Sequence, residues 1–251
     1  MSYPVTETSF SIRGRRGIGV VPPMDANTQD TSILIGSEDI SKLDLYSEDD
    51  PRALSLNGAF NVGNRGIVEF VEVFKNEIEF LHTMITATQE KAVPSPGKGA
   101  MIYFDGVILA HCNEAEWIKF KSESTNEAIL DRIVRVNVPY CLEVSEEQKI
   151  YKKMLDESDF DAHIAPHTLE IAAMFSVLTR LKTSNKVDPV TKMKIYNGNE
   201  VVEKGYIKKI DIDDLRDEVR DEGMTGISTR FIMKSIDAAV ADSENNMVTP
   251  I

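Results

Sequence analysis

Two glutamates, an asparagine and two arginines are the side chains of this sequence whose types and positions suit chemistry on a charged ligand. Glu69 and Glu72 lie in IVEFVEV (67–73), a run that is otherwise apolar on both faces, as in a parallel strand covered by helices. An ionised carboxylate in such a strand must be paired, linked to a metal or placed at an exposed end. Glu72 stands at the C-terminal end, where open α/β sheets gather their ligands. A solvated sheet edge accounts for either glutamate as well. Asn113 follows a second apolar run, VILA (107–110), and offers both a donor and an acceptor. It also suits the N-cap of a helix beginning near Glu114, and the two roles are compatible. Arg132 trails a short helix, where a cation gains ~0.3–1 kcal/mol from the helix dipole, so structure alone can justify it. Arg230 sits in the first turn of a helix, where the same dipole disfavours a cation by a similar ~0.3–1 kcal/mol. A local rule broken this way points to function or to a nearby carboxylate.

The elements that must position these residues follow from pattern and punctuation. Residues 1–58 form a loop-rich lead-in, with one short strand expected near 31–35 and a cluster of Arg13, Arg15 and Arg16 that can meet an anion. After the central strand, 76–90 reads as a helix with Ile78, Leu81, Ile85 and Thr88 on one stripe. Residues 91–100 read as a loop or hairpin tip before the VILA strand. Ser124 with Glu127 predicts a capping box and a short helix over 125–131, then a third strand over 133–138. From residue 140 onward the pattern is helical: a helix capped by Ser145 with Gln148, and another entered at Pro166 with Ile171, Met174, Phe175, Leu178 and Leu181 inward. An exposed connection follows over 182–206, then a helix striped by Ile212, Leu215 and Val219. Ser228 starts the last helix, with Ile232, Ile236, Ala239 and Val240 facing inward. The chain therefore divides at 1–139 and 140–251.

Composition limits the partners. The chain has 251 residues with 28 Lys+Arg against 41 Asp+Glu, a formal net charge of −13, which disfavours a phosphate-backbone footprint, so no nucleic acid is expected. There is no apolar run long enough to span a membrane and no signal-peptide pattern at the start, so a soluble, cytoplasmic protein is expected. Cys112 and Cys141 cannot build a disulfide framework, and His163 with His167 reads as a helix-entry loop without a metal. No GxxxxGK[ST] phosphate loop occurs; the Gly97-Lys98 pair lacks its other members.

Taken in order, the segments DPRA (50–53), GAFNVGNRGIVEFVEVFK (58–75), ATQE (87–90), HCNEAEW (111–117), IAPHTLEIAAMFSVLTRL (164–181) and GISTRF (226–231) resemble the AAA+ ATPases, and more closely the PrkA-type serine protein kinases. The resemblance implies an α/β fold: part of an AAA+ parallel-sheet core, followed by an all-helical lid over 140–251. It implies ATP and Mg²⁺ as cofactors, a protein substrate and a homo-oligomer. Glu72 then resembles the Walker B glutamate that orients the attacking nucleophile, and Asn113 the sensor 1 residue. Arg132 resembles the arginine finger that reaches a neighbouring subunit, and Arg230 the sensor 2 arginine of the lid. Val71 stands where AAA+ strands usually carry the Mg²⁺-associated Asp. Glu69 shares its face but lies two residues back, about 6–7 Å at strand rise. With the phosphate loop and the downstream kinase-like region both expected outside it, the chain reads as a fragment. The alternative is a nucleotide-free binding or oligomerisation module.

Overall fold

β-Branched and aromatic runs build the largest sheet among the described residues. In the computed structural model, residues 6–23, 30–47, 50–76, 78–96, 100–203, 206–207, 210–219, 221–243 and 246–250 are described. The Gly97-Lys98 pair lies outside them. The chain divides into two units, Met1–Val134 and Arg135–Ile251.

The first unit runs β1 (Ile18–Val21), α1 (Ser32–Ile35), β2 (Ser37–Glu38), β3 (Leu54–Ser55), α2 (Ala59–Val62), β4 (Ile67–Phe70), α3 (Ile78–Gln89), β5 (Ala92–Pro94), β6 (Met101–Tyr103), β7 (Val107–Ala110), α4 (Glu114–Ser122) and α5 (Glu127–Leu130). Strands β1, β4 and β7 form a parallel sheet in that order, with Ile67 opposite Ile18 on one side and Val107 on the other. Gly66 makes the entry close enough: a Cβ there would lie 2.0 Å from the Gly17 carbonyl oxygen. Phe60 and Phe70, with ring centroids 6.0 Å apart, and Phe60 with Phe104, edge to face at 5.1 Å, fill the core beside Val21, Val68 and Leu34.

Several expectations change here. The 31–35 stretch is a single helical turn, entered where Asp30 accepts from the Ser32 amide and closed at Gly36, whose φ is +94°. Ile18–Val21, inside the loop-rich lead-in, is instead an outer strand of the sheet. VILA is a strand covered on one face only: Ile108 packs against the core, whereas Val107 and Leu109, on the opposite face, are 57% and 54% exposed. The expected third strand is absent among the described residues; 133–138 joins no ladder, and Val134, Val136 and Val138 are exposed. β-Branched residues favour a strand only when a neighbour supplies the hydrogen bonds. The α3 stripe also turns: Phe80, Leu81, Met84 and Ala87 are buried, whereas Ile78 is exposed. Ser124 makes no capping hydrogen bond; it opens a 3₁₀ turn, and the α-helix after it is only four residues long. β5 (Ala92–Pro94) and β6 (Met101–Tyr103) pair antiparallel.

The second unit contains α6 (Val144–Asp156), β8 (His163–Ile164), α7 (Thr168–Arg180), α8 (Pro189–Tyr196), β9 (Val202–Glu203), β10 (Tyr206–Ile207), α9 (Ile212–Glu218), α10 (Thr229–Asp242) and β11 (Met247–Val248). Its strands are two-residue pieces, so the unit is essentially helical. Val144, Tyr151, Ala173, Val177, Met193, Ile232 and Ile236 form its core. Ile171 and Phe175 of the expected α7 stripe are exposed, and Ala173, Ser176, Val177 and Arg180 are buried instead. Ala239 of the α10 stripe is exposed. The α6 N-terminus is not capped by Ser145; the Asn197 carboxamide accepts from the Ser145 amide at 2.8 Å. The connection expected to be exposed holds α8, opened by Asp188, which accepts from the Val190 and Thr191 amides, with Pro189 at the first position.

Candidate functional site at the ends of two parallel strands

Strand β4 stops three residues before its apolar run does. The Val71 amide still donates to Val21, but Glu72 adopts left-handed backbone angles (φ 48°, ψ 54°) and ends the pleat. A non-glycine residue there costs on the order of 1–2 kcal/mol. Arg15, Arg65, Lys91, His167 and Asn246 share positive φ, so strain marks turns here and does not single out Glu72. A single 3₁₀ turn, Val73–Lys75, follows.

The neighbouring strand ends at the same place. The His111 amide donates to Phe70 at 3.1 Å, and the Val73 amide donates to His111 at 3.0 Å. Glu72 precedes one end of that bond and Asn113 lies two residues past the other. The structure thus brings Glu72 and Asn113 to adjacent ends of two parallel strands. Asn113 Oδ1 accepts from the Glu116 amide at 2.8 Å and caps α4. Among the described residues its Nδ2 keeps no partner of its own, so it remains available as a donor.

Three further side chains complete the cluster. Lys75 Nζ lies 2.5 Å from Glu72 Oε2 and 3.8 Å from Glu116 Oε1, joining the two strand extensions. Its hydrogen bond to Glu72 raises the Lys75 pKa above the usual lysine value. Glu116 Oε2 is buried without a hydrogen-bond partner among the described residues. His111 Nε2 lies 3.7 Å from Glu69 Oε1, so Glu69 faces the neighbouring strand. The available signal was spacing: Lys75 falls three residues after Glu72, and His111 and Glu116 flank Asn113. No described group of three His, Cys, Asp or Glu residues can hold a metal ion. Cys112 and Cys141 are partly buried and form no disulfide.

The two arginines belong to different units. Arg132 turns back so that Nη1 donates to the Ala128 carbonyl of α5, the helix it follows. Arg230 belongs to the second unit, where it is exposed in the first turn of α10 and has no ion-pair partner among the described residues.

Comparison with known proteins places this chain in a family. Residues 1–188 match the family model described as the PrkA AAA domain. The chain belongs to the PrkA family. Residues 190–251 match the PrkA serine protein kinase C-terminal domain, so the family's downstream region begins inside the stretch read from sequence as lid. This PrkA-family chain is 45% identical over 235 residues to the "ATP-dependent protease PrkA" of Bacillus subtilis (strain 168), covering 92% of this chain and 37% of that protein. It is 44% identical over 234 residues to the "Serine/threonine kinase YeaG" of Escherichia coli (strain K12), covering 92% and 36%. The chain thus spans little more than a third of the length of these relatives. Among solved structures, NtrX from Brucella abortus in complex with ADP matches with a TM-score of 0.42 at 14% identity, covering 74% of this chain and 39% of that one. Hsp104 in its closed state matches with a TM-score of 0.40 at 16% identity, covering 71% and 34%. The fold is α/β with a parallel sheet of AAA type. No described helix is long and apolar enough to cross a membrane.

Proposed function

We propose that this chain forms part of an ATP-binding AAA+ module in a PrkA-type serine/threonine protein kinase, and that Glu72 and Asn113 act on the terminal phosphate of ATP. The observation that carries this reading is the adjacency of a strand-end carboxylate and a strand-end carboxamide on neighbouring parallel strands. A carboxylate can orient a nucleophile and take its proton, while the Asn113 amide group can donate to the attacking water or to a phosphate oxygen. Lys75 orients the Glu72 carboxylate through their hydrogen bond. Arg132 is assigned to a neighbouring subunit's nucleotide in a homo-oligomer, and Arg230 to the nucleotide's phosphates. Their planar guanidinium groups suit phosphate oxygens and keep their charge. The kinase reading is preferred to the protease name because the C-terminal family description and the E. coli relative both carry it. The substrate is then a protein, and the protein is cytoplasmic.

Mg²⁺ normally accompanies ATP, held by one or two carboxylates together with the phosphates. Val71 at the usual aspartate position, and the lack of a three-ligand group among the described residues, do not fit a protein-built Mg²⁺ cage. Glu69 and Glu72 are the carboxylates at hand.

The test is Glu72→Gln in the full-length protein that carries a phosphate loop. ATP binding, measured by calorimetry, should persist while ATP turnover falls by roughly 10²–10⁴-fold, the usual contribution of a general base. Unchanged turnover would remove Glu72 from that role.

A further inference from the structure

We propose that the buried Glu147–Arg180 pair is a positioning device for Arg230, acting through Thr229; this rests on the reading of Arg230 as a phosphate-contacting arginine. Arg180 is fully buried, and each of its three nitrogens has a separate task. Nη2 donates to Glu147 Oε1 at 2.7 Å, Nη1 to the Cys141 carbonyl at 2.8 Å, and Nε to the Ile227 carbonyl at 3.0 Å. The guanidinium also lies over the Tyr140 ring, 4.9 Å from its centroid. One cation therefore ties the lead-in to α6, the body of α6 and the lead-in to α10 to the end of α7.

The segment entering α10 is held from both sides. The Ile227 amide donates to Thr179 Oγ1 at 3.0 Å, and Thr229 Oγ1 donates to Glu147 Oε1 at 3.1 Å. Gly226, with φ +117°, packs so closely that a Cβ would lie 2.8 Å from both Arg180 Cγ and the Thr179 carbonyl oxygen. Ser228 Oγ then caps the helix by accepting from the Phe231 amide at 3.3 Å. The residue after this fastened stretch is Arg230, exposed and without an ion-pair partner among the described residues. Its own side chain does nothing to fix where it points. The direction of its Cα–Cβ bond is fixed by residues 226–229.

A buried ion pair is weak evidence for stability, since desolvation offsets its attraction, but its donors and acceptors accept few geometries. An apolar contact would let the α10 entry slide; hydrogen bonds to one carboxylate oxygen and one guanidinium do not. Thr229 is the mildest point at which to cut the device, because Thr229→Val keeps the shape and removes only the hydroxyl.

The experiment measures KM and kcat for ATP in the full-length protein carrying Thr229→Val, Thr229→Ser, Arg230→Ala, or Thr229→Val with Arg230→Ala. Thr229→Val should raise KM by about three- to tenfold, the range one hydrogen bond is worth, with the thermal midpoint little changed. Thr229→Ser should restore it. In the Arg230→Ala background, Thr229→Val should add nothing, since its effect runs through the missing guanidinium. Additive effects of the two substitutions, or a Thr229→Val protein with normal KM beside an impaired Arg230→Ala protein, would overturn the positioning role while leaving Arg230 in place. A normal KM in Arg230→Ala would overturn the reading of Arg230 and the device together.

Discussion

At the strand-end site of the first unit, Lys75 and Glu72 meet at the surface with side chains 48% and 38% exposed, whereas Arg180 and Glu147 in the second unit are 0% and 1% exposed. Lys192 with Glu222 repeats the second pattern: Glu222 also accepts from the Tyr196 hydroxyl at 2.6 Å and the Lys182 amide at 2.9 Å. The difference teaches where each unit can afford change. Exposed charges exchange partners with water at little cost and suit a site that must admit a charged ligand. Buried, fully bonded charges hold one arrangement and suit a scaffold.

Three measurements can break or sharpen that contrast. The largest effect is expected from Arg180→Met, which leaves Glu147 buried and unpaired. It should cost the second unit about 3–5 kcal/mol in urea unfolding, and a loss below ~1 kcal/mol would erase the distinction between the units. Next comes acid. Burial alone would raise the Glu147 pKa, but hydrogen bonds from Arg180, Tyr151 and Thr229 and the charge of Arg180 together hold it below its ordinary value of 4.5. Stability from this group is therefore fully present above the unfolded pKa near 4.5 and is lost as pH falls through the lower folded pKa. Thermal midpoints recorded from neutral pH downward should drop below that point, and Glu147→Gln should flatten the drop; equal acid sensitivity in both proteins would contradict the assignment. The smallest effect belongs to Lys75→Met, expected to change the stability of the first unit by only ~0–1 kcal/mol, as for other exposed pairs. A larger loss there would mean that the strand-end site is as rigid as the buried pairs.

Much of the candidate site could be read from residues alone, because its signals are local. Glu72 lies near the end of an apolar run, just past the strand it forms, and Asn113 joins an apolar run before it to a helix start after it. Ser228 caps α10 as its type predicts, whereas α8, opened by Asp188 and Pro189, lies in a stretch read as an exposed connection. Lys75 and Glu116 were harder to see, since nothing in a three-residue spacing says that two strand ends will meet.

The sequence by itself determined that 67–70 and 107–110 are strands and that Asn113 and Ser228 open α4 and α10, since caps and strand runs act within a few residues. Only the tertiary structure decided which face of α3 and α7 is buried, that β7 is an open edge and that 133–138 pairs with nothing described. It alone made Arg180, an apparently ordinary helix-terminal cation, the buried centre of the second unit. Each of those outcomes depends on a neighbour distant in sequence, which supplies the ladder, the apolar contact or the counter-charge that no local pattern contains.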